Sequence, residues 1–211
     1  MRIVLLTVVT LLLSACQSAY YGVSEQLGHA KRDILVNRVE DSRDAQKDAE
    51  EEFQSALEQL SVLTNFDGGD LEDVYDDMVD EYEDAVEAAD AVTERIDAVD
   101  HVANALFEEW RDEIEEYSSA RLKADSQTKL RATERRYAGM IKALRKSEAK
   151  MPPVLSSLKD NVMYLKHNLN ARAVASLKVE FGSIEDDIEA LIREMRKAIE
   201  TSDEFIASMQ Q

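Results

Sequence analysis

The chain has few of the residues that break or crosslink a fold: one cysteine, two prolines and six glycines among 211 residues. A lone cysteine excludes an internal disulfide. So few prolines and glycines leave few points where a helix must stop. No alternating apolar and polar run and no Asn-Gly turn is present, so nothing supports a sheet. Basic charge is also scarce. Against 44 Asp and Glu stand 25 Lys and Arg, a formal net charge of −19. Nucleic acid is excluded as a partner, because phosphate binding needs basic surface.

The motifs of common chemistries are missing as well. There is no Gly-rich phosphate loop, no nucleophile elbow and no Cys-His pairing. His29, His101 and His167 are scattered, with no His-x-x-x-His or Glu-x-x-His pair. Asp67-Gly68-Gly69-Asp70 is rich in oxygen but lacks the spacing and terminal Glu of a twelve-residue calcium loop. The expectation is therefore no enzyme, no cofactor and no metal, and no small-molecule ligand is indicated.

What the chain does have is helical composition and helical periodicity. Apolar residues make up 45% and charged residues 33%. From Leu71 to Tyr117 apolar side chains recur at alternating steps of four and three, through Met78, Ala85, Val92, Ile96, Val99, Leu106 and Trp110. That is the heptad of packed helices. Glu113 alone breaks it, and Ile114 beside it takes over. A helix of this length is roughly 70 Å long. Asn65-Phe66-Asp67-Gly68-Gly69-Asp70 precedes it as a turn, with Asp70 as N-cap. Residues 24–64 and 71–117 then form a hairpin. In its first arm the seam reads Ala30, Ile34, Arg38, Ser42, Ala45, Ala49, Phe53, with a polar middle. Residues 118–126 read as a bend, 127–150 as a third helix and 153–207 as a fourth, started by Pro152-Pro153. The expected fold is all-α: an elongated antiparallel bundle or coiled coil of about four long helices, forming a single domain over residues 16–211.

The first fifteen residues read differently. Met1-Arg2 is a basic start, and Ile3 to Leu13 is an apolar run too short to span a bilayer. Leu13-Ser14-Ala15-Cys16 resembles the bacterial lipobox. That resemblance implies cleavage before Cys16 and its lipidation, with several acyl chains giving a stable anchor. Gln17, where an Asp would retain a lipoprotein in the inner membrane, points to the outer membrane of a Gram-negative bacterium, periplasmic face.

Two constellations stand out in the mature chain. Arg38 and Asp41 in the first helix, with His167, Asn168 and Arg172 in the last, would form a polar layer if those helices are neighbours. Charge is also segregated. Residues 65–118 carry 21 acidic and 2 basic residues, whereas residues 119–178 carry 4 acidic and 14 basic. A basic patch of Arg131, Arg135, Arg136, Lys142, Arg145 and Lys146 follows. It either pairs with the acidic arm or faces anionic lipid.

Lys31-Arg32-Asp33-Ile34-Leu35-Val36 with Arg38-Val39-Glu40-Asp41, the turn Asn65 to Leu71, and Leu165-Lys166-His167-Asn168-Leu169-Asn170-Ala171-Arg172-Ala173 together resemble domain-of-unknown-function family 2959. The resemblance covers nearly the whole mature chain. It implies a lipoprotein of Gram-negative bacteria and assigns no activity or functional residue. The function expected on all of this is a membrane-anchored, non-enzymatic scaffold, spacer or adaptor of the cell envelope. It would work through a protein partner or self-association. The alternative is a ligand- or ion-binding module using the polar layer.

Overall fold

In the computed structural model the heptad of the second arm is a single helix, α2 (Leu71–Glu116). Met78, Ala85, Ala89, Val92, Ile96, Val99, Ala103, Leu106 and Ile114 are buried along it, as the four-three spacing requires. The structure describes the backbone of residues 2–68 and 70–210. Side chains are described from residue 31 onward, apart from residues 69, 171 and 211. The side chains of the first thirty residues, Cys16 among them, lie outside those described.

The helices are α1 (Arg2–Thr64), α2, α3 (Ala120–Glu148), α4 (Met151–Lys166) and α5 (Ala171–Met209), and no strand occurs among the described residues. α1 packs on α2 and α5, and α3 and α4 together pack on α2 and α5. Cross-links fix the directions. Lys31 meets Glu109 and Gln59 donates to the Val74 carbonyl, so α1 and α2 are antiparallel. Arg43 meets Asp203 and Arg196 meets Glu50, so α5 is antiparallel to α1. Arg145 with Asp97 and Arg111 with Glu134 set α3 against α2 in the same way. The result is an up-down-up-down bundle of four rods, the third broken into α3 and α4. α2 alone, at 46 residues, is about 69 Å long.

Local chemistry explains the breaks. α1 ends where Asn65 Nδ2 takes the Ser61 carbonyl, and Gly68 turns at φ +149°. Asp70 accepts from the Glu72 N–H, with Glu72 and Asp73 at the positive end of α2. The bend expected over 118–126 is shorter, because Ser119 caps α3 by accepting from the Leu122 N–H. Ser126, at the end of that expected bend, is helical and accepts from the Trp110 indole N–H at 2.9 Å.

The last helix, expected unbroken over 153–207, stops at Lys166. Asn170 restarts it, its carboxamide oxygen accepting from the N–H groups of Arg172 and Ala173 at 3.1 Å. Leu169 keeps the apolar step between Leu165 and Ala173 but is exposed in this connection.

The first helix also departs from the expected register. Leu35 is fully buried, whereas Ile34 is 43% exposed. The seam runs through Leu35, Val39, Ser42, Gln46, Ala49, Phe53, Ala56, Leu60 and Leu63, all buried. This register keeps the four-three steps unbroken and leaves the Arg38 charge in water, where its hydration is retained.

Candidate binding surfaces

A buried polar layer does exist, but it is built from other residues than those singled out in the sequence. Arg38 and Asp41 pair with each other at 3.1 Å on the exposed face of α1. His167, Asn168 and Arg172 are exposed at the α4–α5 connection, beyond the reach of α1's polar middle. The antiparallel register explains this: Arg43 is level with Asp203, 31 residues beyond Arg172 along α5. The layer that forms instead is Ser42 and Gln46 on α1, Ser147 on α3 and Ser202 on α5, each fully buried.

Its hydrogen bonding is incomplete. Ser202 Oγ donates to the Ala198 carbonyl at 2.9 Å. Ser147 Oγ lies 2.8 Å from the Leu144 carbonyl and 3.1 Å from Gln46 Oε1. One hydroxyl proton serves one acceptor. Turning the Gln46 amide lets its Nε2 donate to Ser147 Oγ and frees the Ser147 proton for Leu144. Ser42 Oγ and Gln46 Nε2 have no partner in the amide orientation of the structure. The spacing of the α1 seam was the one sequence signal for this layer, since Ser42 and Gln46 stand at inner heptad steps.

The basic patch divides into two parts. Arg145 is taken up by the acidic arm, 2.6 Å from Asp97 and 3.7 Å from Asp100, with Glu148 at 3.1 Å. Lys146 meets Glu194 on α5 at 2.7 Å. Arg131 donates to Thr128 Oγ1 at 3.4 Å. Arg131, Arg135, Arg136 and Lys142 make no ion pair among the described residues.

Two of these lie on a groove of about 400 Å³ between α3 and α5. Its α3 wall is Arg135, Arg136, Gly139 and Met140, and its α5 wall is Thr201, Glu204, Phe205 and Ser208. Beneath it Phe205 packs edge-on to Tyr137, and Tyr137 edge-on to Phe107, with centroids 6.2 and 5.4 Å apart. Tyr137 donates to Asp100 at 2.6 Å. Burial first, and then that bond, push its phenol well above the usual range, so it stays neutral. Glycine inside a helical pattern, here Gly139, was the visible sign of this groove.

The acidic arm has a pH signature. Glu52 on α1 is raised above its ordinary value of 4.5, first by burial and then by Asp84 and Glu81 across on α2. Glu113 is raised by burial and then by Glu109 and Glu116. A raised carboxyl binds its proton more readily in the folded state. The stability it contributes is full below 4.5 and is lost as pH rises through the folded value. Melting temperature should therefore rise as pH is lowered from neutrality to 4.5. Glu52→Gln with Glu113→Gln should flatten that rise, measured by circular dichroism melts across the window. An equal slope in the double variant would refute the assignment.

No group of three or more His, Cys, Asp or Glu side chains able to hold a metal occurs among the described residues. No helix there is long and apolar enough to cross a membrane. The model of a family described as "Protein of unknown function (DUF2959)" matches residues 20–209. No curated protein and no solved structure matches the chain.

Proposed function

The chain belongs to that family, and we propose that it is a lipid-anchored, non-enzymatic helical rod serving as scaffold, spacer or adaptor in the bacterial cell envelope. The observation that carries this reading is the continuous core. Apolar seams run along α1, α2 and α5 from Leu35 to Met209, and the turns between rods are short, at 65–70, 117–119 and 167–170. Material invested in length rather than in loops suits a spacer, since binding and catalytic residues concentrate on loops. The lipobox at Leu13 to Cys16 supports the anchor, and Gln17 supports the outer membrane. A partner would meet the charged outer faces, where half-paired cations of α3 lie beside the acidic arm.

Two measurements test this. Cys16→Ser should abolish palmitate labelling and leave the signal segment uncleaved at that site. A mutant that labels as well as wild type would remove the anchor. Small-angle scattering of protein lacking residues 1–16 should give a radius of gyration well above the roughly 17 Å of a compact domain this size. A compact profile would remove the rod.

A further inference from the structure

The α3–α5 groove has an arrangement that the scaffold reading does not require. Gly139 sits in the interior of α3, where glycine costs about 1 kcal/mol relative to alanine. Its backbone does not need it: positive φ among the described residues occurs at Gly68 alone. Nor does packing need it, since a Cβ at 139 would meet nothing within 4 Å. Gly139 lines the groove and its missing Cβ leaves open space there, so a larger side chain at this position is the means of filling it.

The groove is also polarised across its width. The α3 side offers only donors, the guanidinium groups of Arg135 and Arg136. The α5 side offers acceptors. Glu204 is a carboxylate, and Thr201 and Ser208 turn their hydroxyl protons onto carbonyls of their own helix. Between the two lie the apolar side chains of Met140 and Phe205. Arg135, Arg136 and Glu204 are exposed at the rim and form no ion pair with one another or with other described residues, although Glu204 lies in the field of Lys197 on its own helix.

We propose that this groove binds a small zwitterion of amino-acid or short-peptide size, its carboxylate on Arg135 and Arg136 and its ammonium on Glu204. The ligand's own body is small, because the floor between the two walls is closed by Met140 and Phe205, 1% and 2% exposed. Two guanidinium groups favour an oxyanion, while Glu204 on the opposite wall disfavours a ligand that is anionic throughout. The volume, about 400 Å³, falls at the low end for small-molecule sites. It suits a dipeptide and is too small for a two-chain lipid.

The test is calorimetric titration of the full acylated chain in detergent. The probes are alanyl-alanine and leucyl-leucine, their N-acetyl and C-amide forms, and inorganic phosphate. Free dipeptide should bind, and each capped form should bind at least about tenfold more weakly, because a charge-assisted bond is lost. Arg135→Gln with Arg136→Gln should abolish binding. Glu204→Gln should erase the preference over the N-acetyl form and keep the preference over the amide. Gly139→Leu, a better helix former, should keep the helix content and lose the ligand. No heat with either dipeptide at millimolar concentration would overturn the proposal. So would phosphate binding as well as dipeptide, undiminished binding in Gly139→Leu, or capture of the chain by anionic vesicles through the same two arginines.

Discussion

Phe205→Ala should lower stability by about 3–5 kcal/mol, the usual cost of emptying a buried phenylalanine site. Phe205 is 2% exposed and joins three rods, because it packs on Tyr137 of α3, which packs on Phe107 of α2. Beyond the lost apolar area, the variant loses one edge-to-face contact worth about 0.5–1.5 kcal/mol. Helices of 29, 39 and 46 residues meet there and cannot collapse onto the void without shifting their ion pairs. For a chain of this size the midpoint should fall by roughly 6–20 °C. Val179→Ala is the control. Val179 is 85% exposed on the same helix, and its truncation should stay within about 0.5 kcal/mol. Thermal and urea melts followed by circular dichroism measure both. A Phe205→Ala loss below about 1 kcal/mol would mean that the α3–α5 contact is not formed in solution.

The reach of sequence reading here follows from one rule. Where apolar residues alternate with charged ones at four-three steps, as in α2, spacing determines which face is buried. Ile114 replacing Glu113 was legible for that reason, and the core includes it. Where two apolar residues stand side by side, spacing is ambiguous. Ile34 and Leu35 both fit a seam, and the choice between them moved the inner positions from Arg38 and Ala45 to Val39 and Gln46. Charge decides it, since the register with Leu35 inside keeps Arg38 in water. Leu169 misled in another way. It continues an apolar step, but Asn168 and Asn170 around it are better partners for helix ends than for helix interiors. Asn168 duly bonds the Tyr164 carbonyl and Asn170 caps α5. The groove needs two helices brought together and could not be read from either alone, although Gly139 marked its place on α3. The cation stripe had the same limit. Which of its members find carboxylates depends on the facing register, and Arg145 meets Asp97 where Arg135 meets none.

Gln46→Leu combined with Ser42→Ala should raise stability by about 1–3 kcal/mol, the desolvation penalty of buried polar atoms left without partners. Ser42 Oγ and, in either orientation, one end of the Gln46 amide are such atoms, held in a fully buried layer at the level where α3 ends. Leucine and alanine fill inner heptad positions without that penalty, so the midpoint should rise by roughly 2–12 °C. The opposite sign is expected for Ser147→Ala. Among the described residues it removes the one side chain that meets the Gln46 amide, at 3.1 Å, and leaves the whole amide unsatisfied. That variant should lose about 1–3 kcal/mol. Polar residues at inner heptad steps also fix register, because sliding α1 by a heptad would set Gln46 against apolar side chains. The stabilised variant should therefore trade uniqueness for stability, seen as extra oligomers on sedimentation or broadened amide resonances. If the double variant is instead destabilised by more than about 1 kcal/mol, the layer holds a hydrogen-bonded network of its own, such as enclosed water, and these atoms are satisfied through it.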